Sequence, residues 1–245
     1  MKKISWEFKM SIILVTISLS IYAIKFITIG GEDVTYNYIF NALGFLPINI
    51  LLVTIVLNKL LSIRAQRDKL EKLNMVIGAF FSEVGTKLLS YISDYDPNLE
   101  EMKNNLLITT EWSDEDYTKA ASKIKRHNYS VNIESIDLEK LRDCLKRRRE
   151  FMVRLLENPT VLEHGRFTEL LRSAFHLAEE LEIRKDLKNM DKEEYEHLHG
   201  DIKRAYRNLS NEWIEYMMHL KDNYPYLFSL AMRTNPFDEK SNLNL

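Results

Sequence analysis

The sequence predicts an all-α protein, in which a two-helix transmembrane hairpin continues through its second span into a cytoplasmic antiparallel helical bundle. Three observations predict this architecture. Two long apolar runs follow one another near the N terminus. Only 7 glycines and 5 prolines interrupt the 245 residues, so few helix breakers are present. Beyond the second run, apolar residues recur mainly at steps of three and four, which is the periodicity of a helix with one buried face.

The first 58 residues predict the hairpin. Residues 10–29 are apolar except for small hydroxyl side chains and Lys25, and residues 38–57 carry no charge over 20 positions. At about 1.5 Å of rise per residue, such a helix covers roughly 30 Å, the thickness of a bilayer's hydrocarbon core. The link between the runs, residues 30–37, is long enough only for a turn. A signal peptide is the alternative for the first run, but no small-x-small cleavage site follows it.

The distribution of charge predicts the orientation of the hairpin. Lysines precede the first span, lysines and arginines follow the second, and the link carries Glu32 and Asp33 with no basic residue. The positive-inside rule then places both termini in the cytoplasm of a prokaryotic cell, with both spans in its cytoplasmic (inner) membrane. The lipid bilayer is therefore a predicted partner. We expect three basic residues after the second span to contact its headgroups: Lys59, Arg64 and Arg67.

Polar residues inside the second span allow two interpretations. Asn41 and Asn49 lie on either side of Pro47. The first interpretation is a proline kink with asparagine hydrogen bonds to the partner helix. The second is a polar pore lining in an oligomer, although two asparagines make a sparse lining. A selectivity filter is excluded because the link is too short to re-enter the membrane.

Residues 59–96 predict an amphipathic rod helix that joins the membrane to the bundle. Within it, residues 75–81 are apolar on every side, which predicts burial deep in a core. Glu83 follows this stretch, with apolar residues on both sides, and predicts a paired core carboxylate, with a functional acid as the alternative. Pro97 ends the rod.

Local signals place the helices of the cytoplasmic domain, residues 97–234. A short helix is predicted at 98–107, and another runs from the Ser113–Asp116 pair to about residue 126. Residues 127–133 alternate in polarity but are too short and isolated for a sheet, so a loop is predicted.

Longer helices follow this loop. Ser135 or Asp137 caps the first, the second begins after Gly165, and Asp191 caps the third and longest. Helices of this length predict an antiparallel bundle packed against the rod. The final residues, 235–245, are polar and predict a disordered tail.

Three stretches carry a resemblance to known sequences: SEVGTKLLSYISDYDPNL, LLENPTVLEHGRFTELLRSAFHLAEEL and YPYLFSLAMRTNPF. Together they resemble a group of uncharacterised prokaryotic proteins with two N-terminal membrane spans and a helical cytoplasmic domain. The similarity covers most of the chain after the rod begins. It implies the same topology and a prokaryotic membrane, but no activity and no functional residues.

Histidines and carboxylates on two helices form a candidate metal site. His176 and Glu179 lie three apart on one predicted helix, with Glu180 one position further, while His197 and Asp201 lie four apart on the next. Two helices that each present a histidine and a carboxylate on one face can hold a metal. The di-metal carboxylate bundles repeat Glu-x-x-His instead, so the order here is reversed. A second interpretation stays open, since His176 sits between apolar neighbours where a hydrogen-bonded histidine at the edge of a core is common. The sequence predicts no cofactor.

Other chemistry has little support in the sequence. The single cysteine, Cys144, rules out an internal disulfide and a multi-cysteine zinc site. The basic run at 146–149 predicts a solvated face paired with acids, with headgroup contact as the alternative. No GxSxG, P-loop, HExxH or dinucleotide glycine pattern is present. Aromatic residues near the end of the longest helix predict core or helix interface rather than a ligand box: Trp213, Tyr216, Tyr224, Tyr226 and Phe228.

These observations predict a membrane-anchored cytoplasmic interaction or signalling module rather than an enzyme. Its partner is expected to be a protein, or a second copy of the chain, at the cytoplasmic face. The formal net charge of -2 predicts no nucleic-acid partner. Two alternatives stay open: an oligomeric pore-forming membrane effector and a helical-bundle metal-binding protein.

Overall fold

The computed structural model describes residues 6–28, 34–103 and 106–238, and within these ranges the regular secondary structure is entirely helical. The all-α prediction is confirmed. Most of the predicted link, residues 29–33, lies outside the described residues. The helices are α1 (Trp6–Thr28), α2 (Val34–Phe80), α3 (Thr86–Ser93), α4 (Leu99–Lys103), α5 (Asp114–Arg126), α6 (Leu138–Leu156), α7 (Pro159–Leu162), α8 (Gly165–Ile183), α9 (Lys192–Asn223) and α10 (Pro225–Arg233).

The chain divides into two compact units, Met1–Asp68 and Lys69–Leu245. In the first unit, α1 and α2 approach closely at Gly44, where the Ser18 hydroxyl donates a hydrogen bond to the Gly44 carbonyl. A Cβ atom at Gly44 would lie 2.8 Å from the Tyr22 ring. The missing side chain therefore lets the two helices meet, as small residues do between membrane helices.

The predicted rod, residues 59–96, is divided between the two units after Asp68. Its helix ends at Phe80, continues as a π-helical turn over Phe81–Gly85 and resumes as α3. Ile77, Phe80 and Phe81 are buried, whereas Met75 is 65% exposed and Ala79 is also exposed. The predicted core position therefore holds for one face of residues 75–81 and not for every side. The Phe81 ring meets the Trp213 ring edge-on at 5.3 Å between centroids and stacks on Tyr216 at 5.0 Å.

Local capping signals begin the helices of the second unit as predicted. Ser113 and Asp116 form a reciprocal capping box at the start of α5, because each side chain accepts a hydrogen bond from the other residue's backbone N–H. Asp191 forms the same box at α9, while Asp137 rather than Ser135 caps α6. Each cap satisfies backbone N–H groups that have no partner inside the helix.

α8 lies antiparallel to both α9 and α6. Along the α8–α9 interface, residue numbers rise on one helix as they fall on the other, in the pairs Arg166–Glu215, Ser173–Asn208, His176–Asp201 and Glu180–His197. The α6–α8 interface shows the same order in the pairs Lys146–Glu182 and Arg149–Glu179. The predicted antiparallel packing of the long helices is thus present in the second unit.

The predicted loop at 127–133 is confirmed, and it is buried. Tyr129, Val131 and Ile133 are each less than 5% exposed. The backbone N–H of Asn132 donates to the Tyr95 carbonyl at 2.8 Å. Alternating apolar residues therefore face the core here without a neighbouring strand.

Two expectations are wrong. The predicted tail begins too early, because Asn235 and Phe237 are buried and the Asn235 amide donates to the Leu106 carbonyl at 2.9 Å. Residues 239–245 of that tail lie outside the described residues. Glu83 is exposed rather than a buried paired carboxylate, because the π-helical turn carries it on the solvent side. Its backbone carbonyl accepts a hydrogen bond from Arg148.

Candidate metal centre

Four side chains of α8 and α9 converge in one cluster: His176, Glu180, His197 and Asp201. Each helix contributes a histidine and a carboxylate four residues apart, a spacing that places both on the same face. One ligand atom from each residue lies within 4.8 Å of the other three. The antiparallel packing of α8 and α9 brings the two faces together.

The distances in this cluster match those between ligands of a single metal ion. His176 Nε2 lies 3.5 Å from Asp201 Oδ2 and 3.8 Å from Glu180 Oε1. His197 Nε2 lies 3.4 Å from Asp201 Oδ2 and 3.7 Å from Glu180 Oε2. With metal–ligand bonds of about 2.1 Å, the ligands of a tetrahedral ion are separated by roughly 3.4 Å. Only small side-chain movements are therefore needed to close the cluster on an ion.

Asp201 is the most buried residue of the cluster. Its side chain is 1% exposed, and neither carboxylate oxygen accepts a hydrogen bond from any described residue. Arg204 Nη2 lies 2.9 Å from Oδ1 as an ion pair, which leaves Oδ2 between the two histidines. Arg204 thus compensates one oxygen, but a buried carboxylate oxygen such as Oδ2 is costly unless another group satisfies it.

Glu180 is held in its charged form by Arg184. The Arg184 side chain donates to Glu180 Oε2 at 2.5 Å and to the Glu180 backbone carbonyl at 2.7 Å. This hydrogen bond lowers the pKa of the Glu180 carboxyl, with smaller contributions from the charges of Arg184, His197 and His176. A carboxylate held by a neighbouring cation is oriented as metal ligands commonly are.

The cluster is open to solvent on the histidine side. The His176 and His197 side chains are 41% and 54% exposed, and their rings are nearly perpendicular with centroids 6.4 Å apart. An ion can therefore enter from solvent and displace only water. Two imidazoles with two carboxylates form a donor set suited to a divalent transition metal.

The structure brings together three of the four sequence-predicted ligands and replaces the fourth. Glu179 faces α6, where its carboxylate lies 3.8 Å from Arg149, and Glu180 takes its place beside the histidines. One residue corresponds to about 100° of rotation on a helix, so neighbouring glutamates face different partners. The i, i+4 spacing from His176 was the signal that favours Glu180 over Glu179.

The two asparagines predicted inside the second span, Asn41 and Asn49, differ in their surroundings. The Asn41 side chain accepts a hydrogen bond from Lys25 Nζ at 2.6 Å, so it joins α2 to α1. Asn49 is exposed. The three basic residues expected at the headgroups are also exposed on α2: Lys59, Arg64 and Arg67.

Two further sequence candidates have structural roles. The basic run at 146–149 pairs with acids of α8, since Lys146 lies 3.5 Å from Glu182 and Arg149 lies 3.8 Å from the same side chain. The predicted solvated, acid-paired face is confirmed. Cys144 is 1% exposed, and burial raises the pKa of its thiol against the opposing effect of nearby cations. A buried thiol of raised pKa is a poor nucleophile.

Comparison with known proteins gives a family. Residues 69–233 match the family described as "Uncharacterized protein MJ1433, C-terminal helical domain", and residues 2–61 match "MJ1433, N-terminal helical domain". The chain is 45% identical over 231 residues to the uncharacterized protein MJ1433 of Methanocaldococcus jannaschii, across 94% of this chain and 93% of that protein. No solved structure matches significantly. The predicted resemblance to an uncharacterised prokaryotic helical family is thereby confirmed, and the chain belongs to the MJ1433 family of helical proteins.

Proposed function

We propose that this chain is a membrane-anchored helical module that binds one divalent transition-metal ion between α8 and α9. The observation that carries the proposal is Asp201 Oδ2, a buried carboxylate oxygen that accepts no hydrogen bond from the described residues and lies 3.5 Å and 3.4 Å from two histidines, while Arg204 pairs with Oδ1. A bound cation satisfies this carboxylate directly. Because the ion joins two helices, its binding stabilises the α8–α9 pair, which suits a module that senses or signals the metal.

The proposed ligands are His176, Glu180, His197 and Asp201. The nitrogen donors favour zinc, cobalt or iron over calcium and magnesium, which prefer sites made of oxygen ligands alone. Arg184 and Arg204 do not bind the ion themselves. Arg184 pairs with the Glu180 carboxylate and Arg204 with that of Asp201, and each pairing orients the ligand. Both histidines bind as neutral imidazoles, so binding releases any protons that they carry.

The test is metal binding by the purified full chain in detergent. Co²⁺ is a suitable probe because its visible absorption reports tetrahedral coordination by nitrogen and oxygen. We expect one ion per chain, and we expect Asp201→Asn or His197→Ala to weaken binding about 100-fold. Glu179→Gln is the matched control, since Glu179 lies next to a proposed ligand but faces Arg149. The metal proposal fails if folded protein takes up no ion, or if Glu179→Gln weakens binding as much as Asp201→Asn.

The membrane anchor is supported by apolar helices that the protein itself does not cover. Only 6% of the most apolar segment in Phe8–Ile27 and 11% of that in Tyr36–Ser93 is buried by the rest of the chain. The core helix of a soluble protein is instead mostly buried. A helix that is apolar on every side and uncovered is stable in lipid, because its backbone is satisfied internally and its side chains meet hydrocarbon.

The proposed topology has both termini in the cytoplasm of a prokaryotic inner membrane. The native Cys144 is buried, so it contributes little background to thiol labelling. In intact cells, a membrane-impermeant maleimide should label Glu32→Cys in the link but should label Arg64→Cys only after lysis. Arg64, with Lys59 and Arg67, is proposed to contact the headgroups from the inner side. Labelling of Arg64→Cys before lysis would refute the orientation.

Self-association is proposed through the exposed Asn49. An asparagine facing lipid is favoured to pair with a polar group of another helix, at about 1 kcal/mol per hydrogen bond. Asn41 already bonds Lys25 within one chain, which supports an anchor rather than the alternative of a pore. We expect Asn49→Leu to reduce crosslinked dimers in membranes, while Leu52→Ala has little effect. A steady ion leak through the native chain, abolished by Asn49→Leu, would favour the pore instead.

A further inference from the structure

A cavity lies in the second unit, Lys69–Leu245, away from the proposed metal ligands. It has a volume of about 710 Å³, and it is bounded by the end of α2, the π-helical turn, α9 and α10. This is within the range of roughly 300–1,000 Å³ that is typical of small-molecule pockets. Its walls are mainly apolar and aromatic, with contributions from Met75, Ala79, Trp213, Tyr216, Leu227 and Leu230.

Small residues and the π-helical turn leave this space unfilled. Gly78 and Ala79 line the α2 side of the cavity, and a Cβ atom at Gly78 would lie 3.4 Å from the Tyr216 hydroxyl. The turn at Phe81–Gly85 then changes the spacing of the side chains that follow. Such turns occur frequently at functional sites.

The charge around the cavity has one sign. Lys87 is the charged residue in its wall, and no carboxylate of the described residues lines it. Lys87 forms no ion pair with any acid in the described part of the chain, so its charge is free to meet an anionic ligand.

Two N–H donors in the cavity wall also lack acceptors among the described residues: Trp213 Nε1 and His219 Nε2. The hydrogen-bond partners of His219 indicate which of its ring nitrogens carries the proton. The Asn223 amide nitrogen donates to the His219 carbonyl at 3.0 Å and meets His219 Nδ1 at 3.1 Å, so Nδ1 is an acceptor. Burial lowers the pKa of His219, which keeps the ring neutral with its proton on Nε2.

We propose that this cavity binds a soluble amphiphile that has an apolar chain and an anionic, hydrogen-bond-accepting head. The chain lies along the aromatic and aliphatic wall, and the head meets Lys87. A long-chain carboxylate has this chemistry. The proposal stands apart from the metal centre, because the two sites share no residue.

Trp213 provides a local reporter for the test. The full chain carries three tryptophans, and Trp6→Phe with Trp112→Phe leaves Trp213 as the single fluorophore. This variant is placed in lipid nanodiscs and titrated with dibromostearate, whose bromines quench tryptophan only at short range. Dibromooctadecanol is the neutral comparison, and discs of brominated phospholipid report any entry of bilayer lipid.

We expect saturable quenching by dibromostearate and little by the alcohol. Ala79→Phe adds a ring at an exposed position in the cavity wall, so it should abolish the quenching without unfolding the chain. Lys87→Gln should weaken binding about fivefold. Lys203→Gln, an exposed lysine of α9 outside the cavity, should leave it unchanged.

Three outcomes would overturn the proposal. Quenching that is equal in the Ala79→Phe variant would place the ligand elsewhere. Quenching by brominated phospholipid alone would make the occupant a bilayer lipid. No quenching, with an oligomeric state that Ala79→Phe alters, would make the cavity an interface with a second copy.

Discussion

His127 and Asp96 form a buried pair between two loops that lie 31 residues apart in the chain. His127 Nε2 lies 3.0 Å from Asp96 Oδ2, and the two side chains are 4% and 0% exposed. The other carboxylate oxygen, Oδ1, accepts a hydrogen bond from the Asn98 backbone at 2.9 Å. The pair therefore links the end of α3 to the buried loop that follows α5.

Loss of this pair should destabilise the second unit, Lys69–Leu245. His127→Ala leaves the Asp96 carboxylate buried with one partner fewer, which costs on the order of 3 kcal/mol. Chemical denaturation of the full chain in detergent, followed by circular dichroism, measures the change. His199→Ala, at a partly exposed position of α9, is the control and should change stability by less than about 0.5 kcal/mol. Equal effects of the two variants would mean that the pair contributes nothing specific.

Two glycines should respond to alanine with opposite signs. A Cβ atom at Gly85 would lie 2.6 Å from the Phe81 ring and 2.8 Å from the Phe80 ring, and both rings are buried. Gly85→Ala should therefore destabilise the protein by about 1–3 kcal/mol. Gly200 lies in α9 with nothing within 4 Å of an added Cβ, so Gly200→Ala should stabilise it by about 1 kcal/mol. Thermal unfolding of the two variants checks both signs, and stabilisation by Gly85→Ala would show that the aromatic rings can move aside.

Glu212 should make stability depend on pH. Burial raises the pKa of its carboxyl from 4.5 to about 7, Arg166 opposes this rise and Glu215 adds to it. The folded state then binds more protons than the unfolded state between these values, so the free energy of unfolding falls as pH rises from about 4.5 through 7. The contribution is complete below the unfolded pKa and is lost above the folded one.

Comparison with Glu212→Gln isolates this effect. The amide does not titrate, so we expect the variant to gain up to about 3 kcal/mol relative to the native chain between pH 5 and pH 8. Denaturant titrations at several pH values give the two curves. Parallel curves for the native chain and the variant would assign the pH dependence to other groups.

Arg184 should control the pH range of metal binding. Its hydrogen bond lowers the pKa of Glu180, so Arg184→Ala lets that carboxyl regain a proton at a higher pH. We expect Co²⁺ affinity to fall about tenfold and the acid limb of the binding curve to move to higher pH. Arg172→Ala, an exposed arginine on the same helix, provides the comparison. A uniform loss of affinity with no movement of the acid limb would indicate a purely structural role for Arg184.

Local patterns in the sequence were sufficient to locate the helices. The capping boxes at Ser113 and Asp191 work because each involves residues three apart, so no distant part of the chain is needed. Uninterrupted apolar runs identified α1 and the first part of α2 for the same reason. The apolar character of residues 75–81 located the buried Ile77, Phe80 and Phe81, but it did not show that Met75 and Ala79 are exposed.

Contacts between distant parts of the chain decided the rest. The sequence placed His176, His197 and Asp201 on two helices, but only the packing of α8 against both α6 and α9 turned Glu179 toward Arg149 and Glu180 toward the histidines. A helix fixes the angle between neighbouring side chains, whereas its rotation about its own axis depends on what it packs against. The burial of Asn235 against Leu106, across 129 positions, and the cavity beside the π-helical turn depend on tertiary packing in the same way.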